Sequence, residues 1–134
     1  MGHSYSCHKI SGGKVQGEIL FSQDGLCFYL VDPKTGVVIE KEHCLYGKSI
    51  AGKIIVFPYG KGSSVVQADG MYQMKMTGMS PAGMIVENAD TTLAASAIIL
   101  EAPMVNKAAT EFYRDVSDGT RVELDAENGV ITLL

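Results

Sequence analysis

Short apolar stretches alternate with glycine-rich turns along this chain, and their spacing predicts most of its elements. Lys14 to Phe21 sets Val15, Gly17, Ile19 and Phe21 on one side and reads as a strand. Asp24-Gly25 is a turn signal, and a second short apolar run spans Leu26 to Val31. In Asp32-Pro33-Lys34-Thr35-Gly36 the Asp caps, the Pro sets φ and the Gly takes a left-handed position. Val37 to Glu40 reads as a short strand. Lys53 to Pro58 carries Ile54, Ile55, Val56 and Phe57 unbroken, the mark of a strand buried on both faces. A glycine-rich loop follows, then a helix that ends near Gly78, with Pro81 just beyond.

Ala82 to Val86 predicts another buried strand. Asp90-Thr91-Thr92 opens a helix through Leu93, Ala97 and Ile99 that stops at Pro103, and Met104-Val105 reads as a short strand. Arg121 to Asp125 alternates, and Glu127-Asn128-Gly129 turns the chain into Val130 to Leu133, so the end of the chain reads as a β-hairpin. Strands first, a strand–helix–strand–helix centre and a closing hairpin predict a mixed α/β domain with about two helices. No repeat, linker or low-complexity tract interrupts it.

Composition narrows the picture. The 134 residues suit one domain, and 46% hydrophobic content is enough for a core. Charged residues make up only 19%, below the usual quarter, which leaves room for a surface covered by a partner. A net charge of −4 argues against nucleic acid, which needs clustered Lys and Arg. No apolar run reaches the roughly 18–20 residues that span a bilayer, and the polar start lacks a signal-peptide core, so no membrane role and a cytoplasmic location are expected. Residues 1–7 are expected to be a flexible N-terminus and residues 8–134 the domain proper. Cys7, Cys27 and Cys44 are too widely spaced for a zinc or iron–sulfur pattern and read as reduced thiols, so neither a metal site nor a cofactor is expected in this chain.

The chemistry concentrates in Gly60-Lys61-Gly62-Ser63-Ser64, between a predicted strand and a predicted helix. Glycines let backbone approach a ligand, and helix N-terminal amides favour negative charge. Ser63 and Ser64 stand where they either cap that helix or face a substrate, and Lys61 is placed to pair with a carboxylate or phosphate. The loop is not a Walker A motif, because Gly62 separates Lys61 from Ser63. A purely structural turn explains the same spacing. For Ser63 to act as a base, a nearby cation or helix terminus must help it, since an alcohol is a poor acid. His43 reads as structural or surface, and Glu87, Asp90 and Glu101 as capping or solvated carboxylates. Met71, Met74, Met76, Met79 and Met84 read as core filling, with a subunit-interface patch as the alternative.

The stretch Gly47 to Pro58 continuing into Gly60-Lys61-Gly62-Ser63-Ser64-Val65, together with Pro81 to Glu87, Ala97-Ile98-Ile99 and Ala102-Pro103-Met104-Val105, resembles the aconitase X swivel domain. Gly12 to Glu18 and Val31 to Gly36 fit the same pattern, so the resemblance runs over roughly residues 8 to 133. It implies a swivelling β/β/α fold. It further implies a hydro-lyase in which a large subunit carries an iron–sulfur cluster and a small swivel subunit lays its serine loop over the active site.

The resemblance puts the proton acceptor at Ser63, with Gly60, Lys61, Gly62 and Ser64 shaping a site for a small anionic substrate. Phosphomevalonate and cis-3-hydroxy-L-proline are the two substrates it implies. Cys27-Phe28-Tyr29-Leu30-Val31-Asp32 departs from the family by lacking its Gly-Gly pair. A non-catalytic anion-binding module, or a scaffold subunit docking through its methionines, are the competing readings.

Overall fold

The computed structural model describes residues 3–134. Eight strands form one sheet: β1 Ser4–Ser6, β2 His8–Ser11, β3 Lys14–Phe21, β4 Ile54–Tyr59, β5 Gly83–Asn88, β6 Met104–Asn106, β7 Arg121–Asp125 and β8 Val130–Leu133. The helices are α1 Ser64–Thr77, α2 Thr91–Ile99 and the short α3 Thr110–Asp115. Across the sheet the strands run β1-β8-β7-β3-β4-β5-β6-β2. The pairs β3–β4, β4–β5 and β5–β6 are parallel and the remaining pairs antiparallel.

The first and last strands of that order are neighbours in the chain, separated by Cys7 alone. The N-terminal segment therefore spans both edges of the sheet and curls it towards closure, which covers strand edges that would otherwise be open. Residues 1–7 were expected to be a flexible terminus. In the structure Ser4–Ser6 pairs with β8, and Tyr5 is buried with its hydroxyl donating to Asp115 Oδ2 at 2.9 Å.

Alternation along the central strands feeds two cores. Ile54 and Val56 point into the curled sheet, where they meet Ile85, Val105, Leu124 and Phe112 of α3. Ile55 and Phe57 point outward, where Met71, Met74, Leu93 and Ala97 of α1 and α2 cover them. An unbroken apolar run is the consequence, since both faces of β4 are covered. Each fully buried Ile, Leu or Phe contributes about 2 kcal/mol relative to exposure. Met71, Met74 and Met84 fill the core as expected, whereas Met76 is 67% exposed.

Both long helices follow the predicted signals. Gly78 ends α1 in the left-handed region at φ 79°, and Met79 N donates to Met74 O at 3.0 Å. Asp90 caps α2, its Oδ1 accepting from Leu93 N at 2.7 Å. The expected count of about two helices omitted α3. Its N-cap, Ala109, offers no side-chain acceptor, so no start signal marks it.

Val37 to Glu40 is not a strand. The connection from Ser22 to Lys53 folds on itself instead, held by single bridges such as Val31 to Val38 and by the turn at Asp32–Gly36, where Gly36 N donates to Asp32 O at 2.7 Å. Within it Phe28–Leu30 makes one 3-10 turn packed on α1. Gly70 permits that contact, because a Cβ there would lie 2.5 Å from the Phe28 carbonyl carbon. No helix among the described residues is long and apolar enough to cross a membrane.

Candidate functional site

The glycine loop lies at the carboxyl end of β4, a usual ligand position in parallel α/β sheets. The long connection braces it there. Leu26 N donates to Tyr59 O and Lys61 N donates to Leu26 O, both at 2.9 Å, so Leu26 acts as a one-residue strand beside Gly60. Gly62 takes φ 105°, a conformation that L side chains rarely adopt, and this turns the chain sharply into α1.

Ser63 is exposed at the N-cap of α1. Its Oγ accepts from Val66 N at 3.4 Å, a long bond that leaves the hydroxyl accessible. Ser64 is also exposed, and Thr92 Oγ1 donates to its Oγ at 3.1 Å. Because α1 and α2 follow adjacent parallel strands, their N-termini lie side by side. The N-terminus of α1 puts a positive dipole end beside Ser63, whereas that of α2 is capped by the Asp90 carboxylate.

Lys61 is engaged elsewhere. Its Nζ lies 2.6 Å from Glu40 Oε2 in a half-buried pair. That hydrogen bond holds the ammonium above its ordinary pKa, so Lys61 stays cationic. Of the five residues singled out in the sequence, the structure brings Gly60, Gly62, Ser63 and Ser64 together at the two helix N-termini. It gives the Lys61 ammonium to a protein carboxylate.

Two residues that hydrogen-bond to the loop escaped the sequence reading. Glu40 is one. Gln67 is the other: it is buried, and its Nε2 donates to Gly62 O at 3.0 Å and to Asp90 Oδ2 at 3.4 Å. Neither carries a local motif, since each acts across space. Asp90 was read as a cap, and it is one.

The thiols do not converge. Cys7 separates β1 from β2, Cys27 adjoins Gly62, and Cys44 lies on the long connection; all three are free. Burial pushes Cys7 up to about 11. The group that does gather is Asp24, His43 and Cys44, with ligand atoms within 4.8 Å of one another. His43 is buried and both its nitrogens are used. Nδ1 accepts from Leu45 N at 2.9 Å, and Nε2 faces Gly25 O at 3.0 Å, so Nε2 carries the proton. His43 is a structural residue of the connection. An iron–sulfur cluster finds no set of converging thiolates among the described residues of this chain.

A cavity of about 350 Å³ lies at the other end of the central strands, lined by Met71, Met74, Lys75, Met84, Glu101 and Pro103. Pro81 and Ala82, just before β5, also line it, so it opens at the pole opposite Ser63.

The family model for the aconitase X swivel domain matches residues 4–133. The phosphomevalonate dehydratase small subunit of Methanothrix thermoacetophila is 44% identical over 128 residues, covering 95% of this chain and 92% of that protein. The protein of the same name from Thermococcus kodakarensis is 42% identical over 94% of this chain and 92% of its own length. Among solved structures, the holo-form crystal structure of Thermococcus kodakaraensis aconitase X superposes with a TM-score of 0.89 at 40% identity, covering 99% of both chains. The solution structure of a UPF0107 protein gives 0.86 at 32% identity over 98% of this chain and 99% of that one. A match over nearly the whole chain, joined to the curled sheet and its exposed serine loop, settles the family: the chain belongs to the aconitase X swivel domain family.

Proposed function

We propose that this chain is the small subunit of a phosphomevalonate dehydratase-type hydro-lyase, in which Ser63 accepts the proton removed from the hydroxy acid. The observation that carries the reading is the Ser63 hydroxyl. It stands exposed on a glycine-bordered turn at the carboxyl end of β4, beside two helix N-termini. The relatives named as small subunits of that enzyme support the substrate and the need for a larger partner.

In the β-elimination a C–H bond breaks beside the carboxylate and its proton passes to Ser63 Oγ. The electron pair forms the new double bond, and the hydroxyl on the next carbon leaves as hydroxide and takes up one proton to become water, matching the one that Ser63 gives back to solvent at the end of the cycle. Ser63, which is exposed, must first pass its own proton to solvent water, and the first-turn amides of α1 stabilise the alkoxide that results. The adjoining N-terminus of α2 is offset by the carboxylate of its own cap, Asp90, so the serine-capped end of α1 is the more favourable one for the substrate's anionic groups. An anion strong enough to compete with Glu40 would draw on the Lys61 charge as well. Gly60 and Gly62 let the loop pack closely against Gln67, Leu93 and Val66, which fixes the turn that presents Ser63. A cluster on the large subunit would supply Lewis acidity for the departing oxygen.

Expression with a large aconitase X-type chain tests the assignment. The pair is expected to form a stable complex that dehydrates phosphomevalonate, while neither chain alone does so. Turnover of cis-3-hydroxy-L-proline in place of phosphomevalonate would move the substrate, and full activity of the large chain alone would remove the catalytic role.

A further inference from the structure

We infer that Gln67 is a positioning residue that sets the orientation of Ser63, an inference that rests on the reading of Ser63 as the proton acceptor. Gln67 lies one turn into α1 with 3% of its surface exposed. Its amide nitrogen donates to the Gly62 carbonyl at 3.0 Å and to Asp90 Oδ2 at 3.4 Å. The Gly62 carbonyl belongs to the peptide that leads into Ser63. Gly62 has no side chain to hold that peptide, and at φ 105° it sits where the backbone is least restrained by its own sterics. The amide of Gln67 therefore supplies the restraint that the glycine lacks. Asp90 completes the chain of contacts, since one carboxylate caps α2 through Oδ1 and anchors Gln67 through Oδ2. A second link, Thr92 Oγ1 to Ser64 Oγ at 3.1 Å, joins the same two helix ends.

The other half of the side chain shows that packing alone does not account for it. Gln67 Oε1 is buried and finds no hydrogen-bond partner among the described residues; it faces Gly60, where a Cβ would strike it. A buried acceptor without a donor opposes folding, and an apolar residue of equal length would fill the space without it. The donor half compensates by holding the peptide before Ser63. Local cost combined with exact placement of a reacting group is the pattern expected at a functional site.

The test uses the assembled complex with phosphomevalonate. Gln67→Met keeps the length and removes both the donor and the orphan acceptor. It is expected to lower kcat by roughly tenfold or more through misplacement of Ser63. KM should stay within about twofold, because substrate binding is not what Gln67 controls. The thermal midpoint and association with the large subunit should hold or improve. Gln67→Glu, which keeps the shape and puts an oxygen where the donor was, is the second variant and is expected to lose turnover likewise. Native kcat in either folded variant overturns the inference, and so does a loss of turnover that merely follows loss of folding or assembly in both. Ser63→Ala in the same preparation separates the two ideas. If it is inactive while Gln67→Met is fully active, only the positioning role fails. If Ser63→Ala is fully active, the proton-acceptor reading itself fails, and the positioning role with it.

Discussion

Lys61 Nζ and Glu40 Oε2 lie 2.6 Å apart, and this pair joins the serine loop to the far side of the long connection. With side chains 33% and 24% exposed, it is partly shielded from water and salt. Glu40→Gln should destabilise the domain by about 1 kcal/mol or less, as expected for a pair still open to solvent. It should also release the Lys61 ammonium toward the substrate and lower KM for an anionic hydroxy acid. Urea denaturation reads the first effect and steady-state kinetics of the complex the second. An unchanged KM would mean that Lys61 does not reach the substrate.

Gly70 is the point where α1 and the 3-10 turn at Phe28–Leu30 touch. In an open helix Gly→Ala stabilises by about 1 kcal/mol. Here the added methyl would meet the Phe28 and Tyr29 backbone, which cannot rotate away, and overpacking of that kind costs about 1–3 kcal/mol. Gly70→Ala is therefore expected to lower the thermal midpoint. A raised midpoint would show that the turn yields easily.

Acid stability follows from three carboxylates held below their ordinary range. The Cys44 amide lowers Asp24, Arg114 and the Tyr5 hydroxyl lower Asp115, and the Asn128 side chain and amide lower Asp125. A carboxyl with a depressed folded pKa binds fewer protons folded than unfolded. Its contribution is fully present above the unfolded value of about 4 and disappears as pH falls through the folded one. Stability should thus be flat with respect to these groups near neutrality and decline below about pH 4. Asp125→Asn should flatten the decline, as read by denaturation midpoints across that window; a parallel decline would remove Asp125 from the account.

What the sequence reveals depends on how local each interaction is. Ile54–Phe57 declares β4 because both faces are buried, and Asp90 and Gly78 declare helix ends through their own capping chemistry. By contrast, β1 and β2 are short, largely exposed and polar. Their partners lie about a hundred residues away, and β2 is interrupted by an irregularity between Lys9 and Ser11. No period announces strands of that kind. Val37 to Glu40 has the composition of a strand, but the connection that contains it turns back before a ladder can form. The same division holds at the site. Gly60-Lys61-Gly62-Ser63-Ser64 is a contiguous signal for a strand-to-helix turn. The roles of Glu40, Gln67 and Leu26 come only from three-dimensional proximity.

The central claim is that the Ser63 oxygen takes the proton, and the turnover of the assembled complex carrying Ser63→Ala tests it most directly. Removing the hydroxyl should leave the cap weakened by about 1 kcal/mol and the complex intact. Turnover of phosphomevalonate should fall by roughly a hundredfold or more, the scale of losing a general base. Native turnover in that complex would contradict the account.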